Sequence, residues 1–142
     1  MAEAPVWVLD TNVLVSGLLS PFGPPGRLVD ALLARRLRLA FDDRIELEYR
    51  EVLARSRFGI AQAWQDAFFA ILQFQEHIPP LPWPHRAPPD ADDTVFLEVA
   101  IQISSQTLVT GNLKHFPPNC RGPVTVRSPR VAWEHFRRLS SA

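Results

Sequence analysis

Four carboxylates and one amide stand where this chain could do chemistry. Asp10 closes the apolar run VWVL, and Asn112 follows a second apolar run, TLVT. Glu48 lies inside RIELEYREVL, and Asp92 and Asp93 sit in DADDTVFLEVA. Carboxylates brought to one place repel each other and resist ionising together, a penalty that a bound cation removes. A donor set of oxygens, with no His or Cys among them, suits a hard cation such as Mg²⁺ or Mn²⁺. Such an ion activates water and stabilises the charge of a phosphodiester transition state. Taken singly, each residue has a plainer reading. Asp10 could cap the next helix, Glu48 could be a solvated helix residue, and Asp92 and Asp93 could be N-caps. Asn112 could close the turn after Gly111.

Competing chemistries find little support. There is no Ser-His-Asp set or Cys-His pair to supply a nucleophile. His77, His85 and His135 have no metal-ligand spacing, and no GxGxxG follows a strand. Asp10 ends the first strand without the acidic pair that a phosphotransfer receiver would place there. The single cysteine, Cys120, excludes an intrachain disulfide and fits a reducing, cytoplasmic setting. No apolar run approaches the ~20 residues of a membrane span, and the N-terminal segment lacks the basic region of a signal peptide. The 142 residues carry fifteen cations, fourteen of them Arg, against fifteen carboxylates. Setting aside Asp10, Glu48, Asp92 and Asp93 leaves eleven carboxylates against those fifteen cations, an excess of four positive charges. An acidic pocket in a mildly basic body suits a phosphate-bearing ligand.

The elements that must position these residues alternate. VWVL reads as a buried strand, and VLVSGLL after it as a short helix. SPFGPPG reads as a loop, followed by a helix from Arg27 to about Arg36. RLRLAF alternates as a second strand. Asp42 and Asp43 can cap the helix RIELEYREVLAR, and Ser56–Gly59 break it. Ala61–Gln75 predicts a further helix with Trp64, Phe68, Ile71 and Leu72 on its apolar face. PPLPWPHRAPP (residues 79–89), with six prolines in eleven residues, is an extended surface connector. Asp92 or Asp93 caps a helix burying Val95, Phe96, Val99, Ala100 and Ile103. TLVT and PVTVR are short strands, and Ser128 with Pro129 opens a last helix. The alternation predicts an α/β fold with a mainly parallel sheet, in one domain over residues 1–142.

Four stretches together, VWVLDTNVLVSGLL, ELEYREVLARSRF, DADDTVFLEVA and TLVTGNLKHF, resemble the PIN-domain nucleases, specifically the toxin components of bacterial toxin–antitoxin modules. The similarity covers about residues 6–130. It implies a Rossmann-like three-layer α/β/α fold and a Mg²⁺- or Mn²⁺-dependent endoribonuclease that leaves a 5′-phosphate and a 3′-hydroxyl. By the family's motifs, Asp10, Glu48 and Asp93 are the catalytic, metal-holding carboxylates, with Asp92 a further candidate ligand. Thr11, Asn12, Thr110 and Asn112 support the site, Thr110 by orienting Asp10. Where the family frequently has a fourth Asp, this chain has Asn112, which favours one metal before substrate binds. RNA, a cognate antitoxin and a second copy of the chain are the implied partners. Arg50, Arg55, Lys114 and His115 are candidate phosphate or substrate contacts, or ordinary solvated charges. Phe22 and Trp83 are candidate base-stacking groups, or pack locally. The alternative function is a catalytically weak PIN module that binds RNA or a protein.

Overall fold

A computed structural model of the chain describes residues 3–140. Strand β1 (Val6–Leu9) buries Trp7, Val8 and Leu9 together. Successive side chains on a strand face opposite ways, so this run is buried only if both sheet faces are covered. They are. Helix α1 (Thr11–Leu19) packs on α2 (Pro24–Leu33), and α2 packs on α6 (Pro129–Ser140). Helix α5 (Thr94–Ala100) lies on β1, β2 (Arg38–Phe41) and β4 (Thr107–Val109), with α3 (Asp43–Leu53) beside it. The α1–α2 contact is close at Gly17, where a Cβ would stand 2.5 Å from a Val29 methyl carbon and 2.7 Å from the Pro25 carbonyl oxygen.

The sheet has five parallel strands in the order β3-β2-β1-β4-β5, with β3 at Glu76–His77 and β5 at Thr125–Arg127. Trp7 registers with Leu39 on one side, and Leu9 with Val109 on the other. The result is a three-layer α/β/α architecture around a core that includes Leu9, Leu14, Leu28, Leu39, Tyr49, Phe68 and Phe96. Among the described residues no helix is long and apolar enough to cross a membrane.

The structure departs from the sequence reading in several elements. Helix α2 begins at Pro24 within the expected loop, because proline's missing N–H costs nothing in a first turn. It ends at Leu33, before Arg35 takes a positive φ of 61°. Helix α4 spans Gln62–Leu72, shorter than the expected Ala61–Gln75. Its buried positions are Gln65, Phe68 and Leu72, while Trp64 is 54% exposed. Gln65 is tolerated inside because its amide donates to the Ile60 carbonyl at 3.0 Å. Strand β3, absent from the sequence reading, occupies the sheet edge through Ala40–Glu76 and Phe41–His77. Residues 79–89 carry neither helix nor strand, as the prolines dictate. Trp83 is tied locally, its Nε1 donating to the Arg86 carbonyl, whereas Phe22 is 87% exposed.

Candidate active site

The sheet changes winding direction between β1 and β4. In open parallel sheets the crevice at such a point, beyond the carboxyl ends of the strands, is where ligands bind. Asp10 follows β1 and Thr110 follows β4, and the Asp10 N–H donates to the Val109 carbonyl at 2.8 Å. Asp10 has the backbone position of an N-cap for α1, yet its carboxylate makes no capping bond. Its Oδ2 instead accepts from Thr110 Oγ1 at 2.8 Å and from Asn12 Nδ2 at 3.3 Å. Asn12 Oδ1 accepts in turn from the Gly111 N–H, and Thr110 Oγ1 from the Asn112 N–H, each at 3.0 Å. The two motifs DTN and TGN thus hold each other across the gap between β1 and β4.

Helix α3 supplies Glu48. Its cap is Asp42, whose Oδ1 accepts from the Ile45 N–H at 3.0 Å, as expected for that position. Thr11 Oγ1 donates to Glu48 Oε2, which joins α1 to α3. Buried Tyr49 fixes the same helix by donating its hydroxyl to the Leu9 carbonyl at 2.5 Å. Burial, then the nearby Asp10, Glu48 and Asp42 carboxylates, hold that hydroxyl protonated well above its ordinary range. The sequence presented Tyr49 only as an apolar-face residue; nothing in the helical periodicity announces a hydroxyl bonded to a strand end.

Asp93 sits at the junction of a 3₁₀ turn (Ala91–Asp93) and α5. The sequence suggested Asp92 or Asp93 as the cap. Asp93 does take the N-cap position of α5, but its carboxylate makes no capping bond; the carboxylate that caps is Asp90, which accepts from the Asp92 N–H at 2.9 Å at the head of the preceding 3₁₀ turn. Asp93 Oδ2 is buried with no hydrogen-bond partner. His115 Nδ1 stands 3.1 Å from it, close enough for charge attraction but not aligned as a hydrogen bond. Asp92 is exposed and lines a cleft of about 280 Å³ between α3 and α5 with Arg44, Glu48, Thr94 and Glu98.

The electrostatics follow from this arrangement. Burial pushes the Asp10 carboxyl up to about 6; the Thr110 hydrogen bond opposes the rise, and the charges of Asp93 and Glu48 add to it. Asp93 is likewise raised, first by burial, with His115 opposing and Asp90 and Glu48 adding. Asp10 therefore senses Glu48 and Asp93 as like charges, and Asp93 senses Glu48. Among the described residues no three His, Cys, Asp or Glu groups form a ready-made cation cage. The donor chemistry nevertheless fits a hard divalent cation. Three carboxylates share one strand-end crevice, and one buried carboxylate oxygen lacks a hydrogen-bond partner.

The structure does not bring every candidate together. Arg50 lies two residues beyond Glu48, about 200° around the helix. Its guanidinium pairs with Glu46 at 2.9 Å and sits over the Phe69 ring at 4.2 Å. Arg55 lies just beyond α3, which ends at Leu53 and not at Arg55 as expected, and pairs back to Glu51 at 3.2 Å. Lys114 and His115 do belong beside the crevice, on the 3₁₀ turn Leu113–His115 that follows Asn112, and both are exposed.

No curated protein matches the chain. A family model of the PIN domain matches residues 6–114, a span containing Asp10, Glu48, Asp92, Asp93, Thr110 and Asn112. The chain belongs to the PIN-domain family.

Proposed function

We propose that this protein is a divalent-metal-dependent endoribonuclease, and that it acts as a toxin held in check by a cognate antitoxin. PIN domains are generally nucleases. What supports the reading is that Glu48 and Asp93 stand near enough to Asp10 to act on it as like charges, with Asp93 Oδ2 left without a hydrogen-bond partner. Asp10, Glu48 and Asp93 would hold Mg²⁺ or Mn²⁺, with Asp92 at the margin. When bound, the cation supplies Lewis-acid polarisation of the phosphate and activation of water. The chain's own groups do the positioning. Thr110 and Asn12 fix the Asp10 carboxylate, and Thr11 fixes Glu48. Lys114 and His115 meet the RNA backbone at the crevice rim, where phosphate contacts orient a substrate without reading its sequence. Asn112 adds an amide but no charge to this rim, which favours a single resident cation. The toxin assignment, the antitoxin and a homodimer rest on the resemblance of the four motifs.

The test is incubation of structured and unstructured RNA with the protein in Mg²⁺, in Mn²⁺ and in EDTA. Cleavage should require the cation and fall on the order of 10³-fold in Asp10→Asn and Asp93→Asn. Cleavage that survives EDTA or both substitutions contradicts the proposal. RNA binding without cleavage favours the alternative of a binding module.

A further inference from the structure

Arg44 lies just outside the four stretches that carry the family resemblance. It lies four residues before Glu48 on α3, on the same helical face. Its Nε and Nη2 donate to Asp42 Oδ2 at 2.9 and 2.6 Å, and its Nη1 donates to Glu98 Oε1 at 3.0 Å. The Asp42 side chain is 2% exposed and that of Glu98 11%. Asp42 follows β2, Arg44 is in α3 and Glu98 is in α5, so one guanidinium joins three elements. Two of them carry the site: α3 holds Glu48, and Asp93 immediately precedes α5. A planar guanidinium fork can serve two carboxylates at fixed angles, which an ammonium point charge cannot. Without it, two buried like charges would face each other across the seam between α3 and α5.

We propose that Arg44 is a positioning residue, which clamps α3 to α5 through Asp42 and Glu98 and thereby sets the separation of Glu48 and Asp93 and their affinity for a divalent cation. This rests on the reading of the crevice as a cation site. Two simpler roles make different predictions. A bystander positive charge repels the cation, so removing it would tighten binding. A residue that only stabilises the fold would leave the affinity of the folded protein unchanged.

The experiment compares the full chain with Arg44→Gln, Arg44→Lys and the double variant Arg44→Gln/Glu98→Gln. Mn²⁺ binding is read from the loss of the free-ion electron paramagnetic resonance signal, at a temperature where circular dichroism shows each variant folded. Amide hydrogen exchange is followed in parallel. Arg44→Gln should weaken Mn²⁺ binding about tenfold, as for loss of a group that orients a metal ligand. Arg44→Lys should fall between it and the wild type. Adding Glu98→Gln should recover part of the loss, because it removes the repulsion the clamp had neutralised. Exchange in Arg44→Gln should quicken across residues 43–53 and 91–100 more than in β1 and β4. Unchanged or tighter Mn²⁺ affinity in folded Arg44→Gln overturns the proposal, as does uniform quickening of exchange. A wild type that binds no Mn²⁺ contradicts the cation-site reading instead, and the exchange pattern then decides the clamp alone.

Discussion

Two sets of carboxylates stand at neighbouring strand ends and on or just before α5, Asp42 with Glu98 and Asp10 with Asp93, and the protein treats them differently. Asp42 and Glu98 are buried and share the guanidinium of Arg44. Asp10 and Asp93 are also withdrawn from water, but no Arg or Lys pairs with either among the described residues; Asp93 has only His115 nearby. Asp10 has hydroxyl and amide donors that orient it without neutralising it. A fold able to place an arginine at one acidic pair has left the neighbouring set uncompensated. Such unrelieved repulsion costs stability, and it marks functional sites more often than structural ones. The paired set reads as a fastener, and the unpaired set as a place for a charge that arrives from solution.

Neutralising one member of each set should break that comparison in opposite directions. The larger effect is at Asp10. Its folded carboxyl titrates at about 6 instead of 3.8. Between those values the folded protein holds a proton that the unfolded chain has lost, so stability falls as pH rises through that window. The penalty is fully present above about pH 6 and amounts to roughly 3 kcal/mol. Asp10→Asn should therefore stabilise the metal-free protein by up to about that much near pH 8, with the gain vanishing near pH 4. Urea denaturation of both proteins across this range in EDTA measures it. A gain that is flat with pH would show that Asp10 does not carry the burden assigned to it. The smaller effect, of opposite sign, is at Asp42. Asp42→Asn retains a capping oxygen but removes the charge facing Arg44, and should destabilise the protein by about 1–2 kcal/mol near pH 7. A neutral or stabilising Asp42→Asn in the same urea series would erase the distinction between the two sets.

How far the sequence reveals this differs between the sets for a physical reason. The strand-end residues were legible because buried parallel strands read as continuous apolar runs, and VWVL and TLVT deliver Asp10 and Asn112 at their ends. Glu48 and Asp93 were legible through the motifs around them; Asp93 holds the cap position of α5 that the sequence offers it, but the capping bond itself is made one turn earlier by Asp90. The clamp was not legible. Arg44 and Glu98 are 54 residues apart, and nothing local in either helix says that they meet. Strand β3 was invisible for the opposite reason. It is two residues at a sheet edge, Glu76 half-buried and His77 exposed, with no apolar signal to detect. Arg50 was legible as a cation, and its i,i+4 spacing from Glu46 on α3 already offers it a local partner; its seat over the Phe69 ring emerges only once α3 and α4 are packed.

The central claim is that the uncompensated set is completed by a divalent cation. The most direct measurement is the melting temperature of the wild type, Asp10→Asn and Asp93→Asn with and without excess Mn²⁺ at about pH 7.5, where Asp10 is ionised. A ligand bound only by the folded state raises its stability by mass action. The wild type should melt roughly 5 °C or more higher with Mn²⁺, and both variants should lose that rise. A wild type whose melting temperature ignores Mn²⁺, or variants that respond as fully as the wild type, would contradict the account.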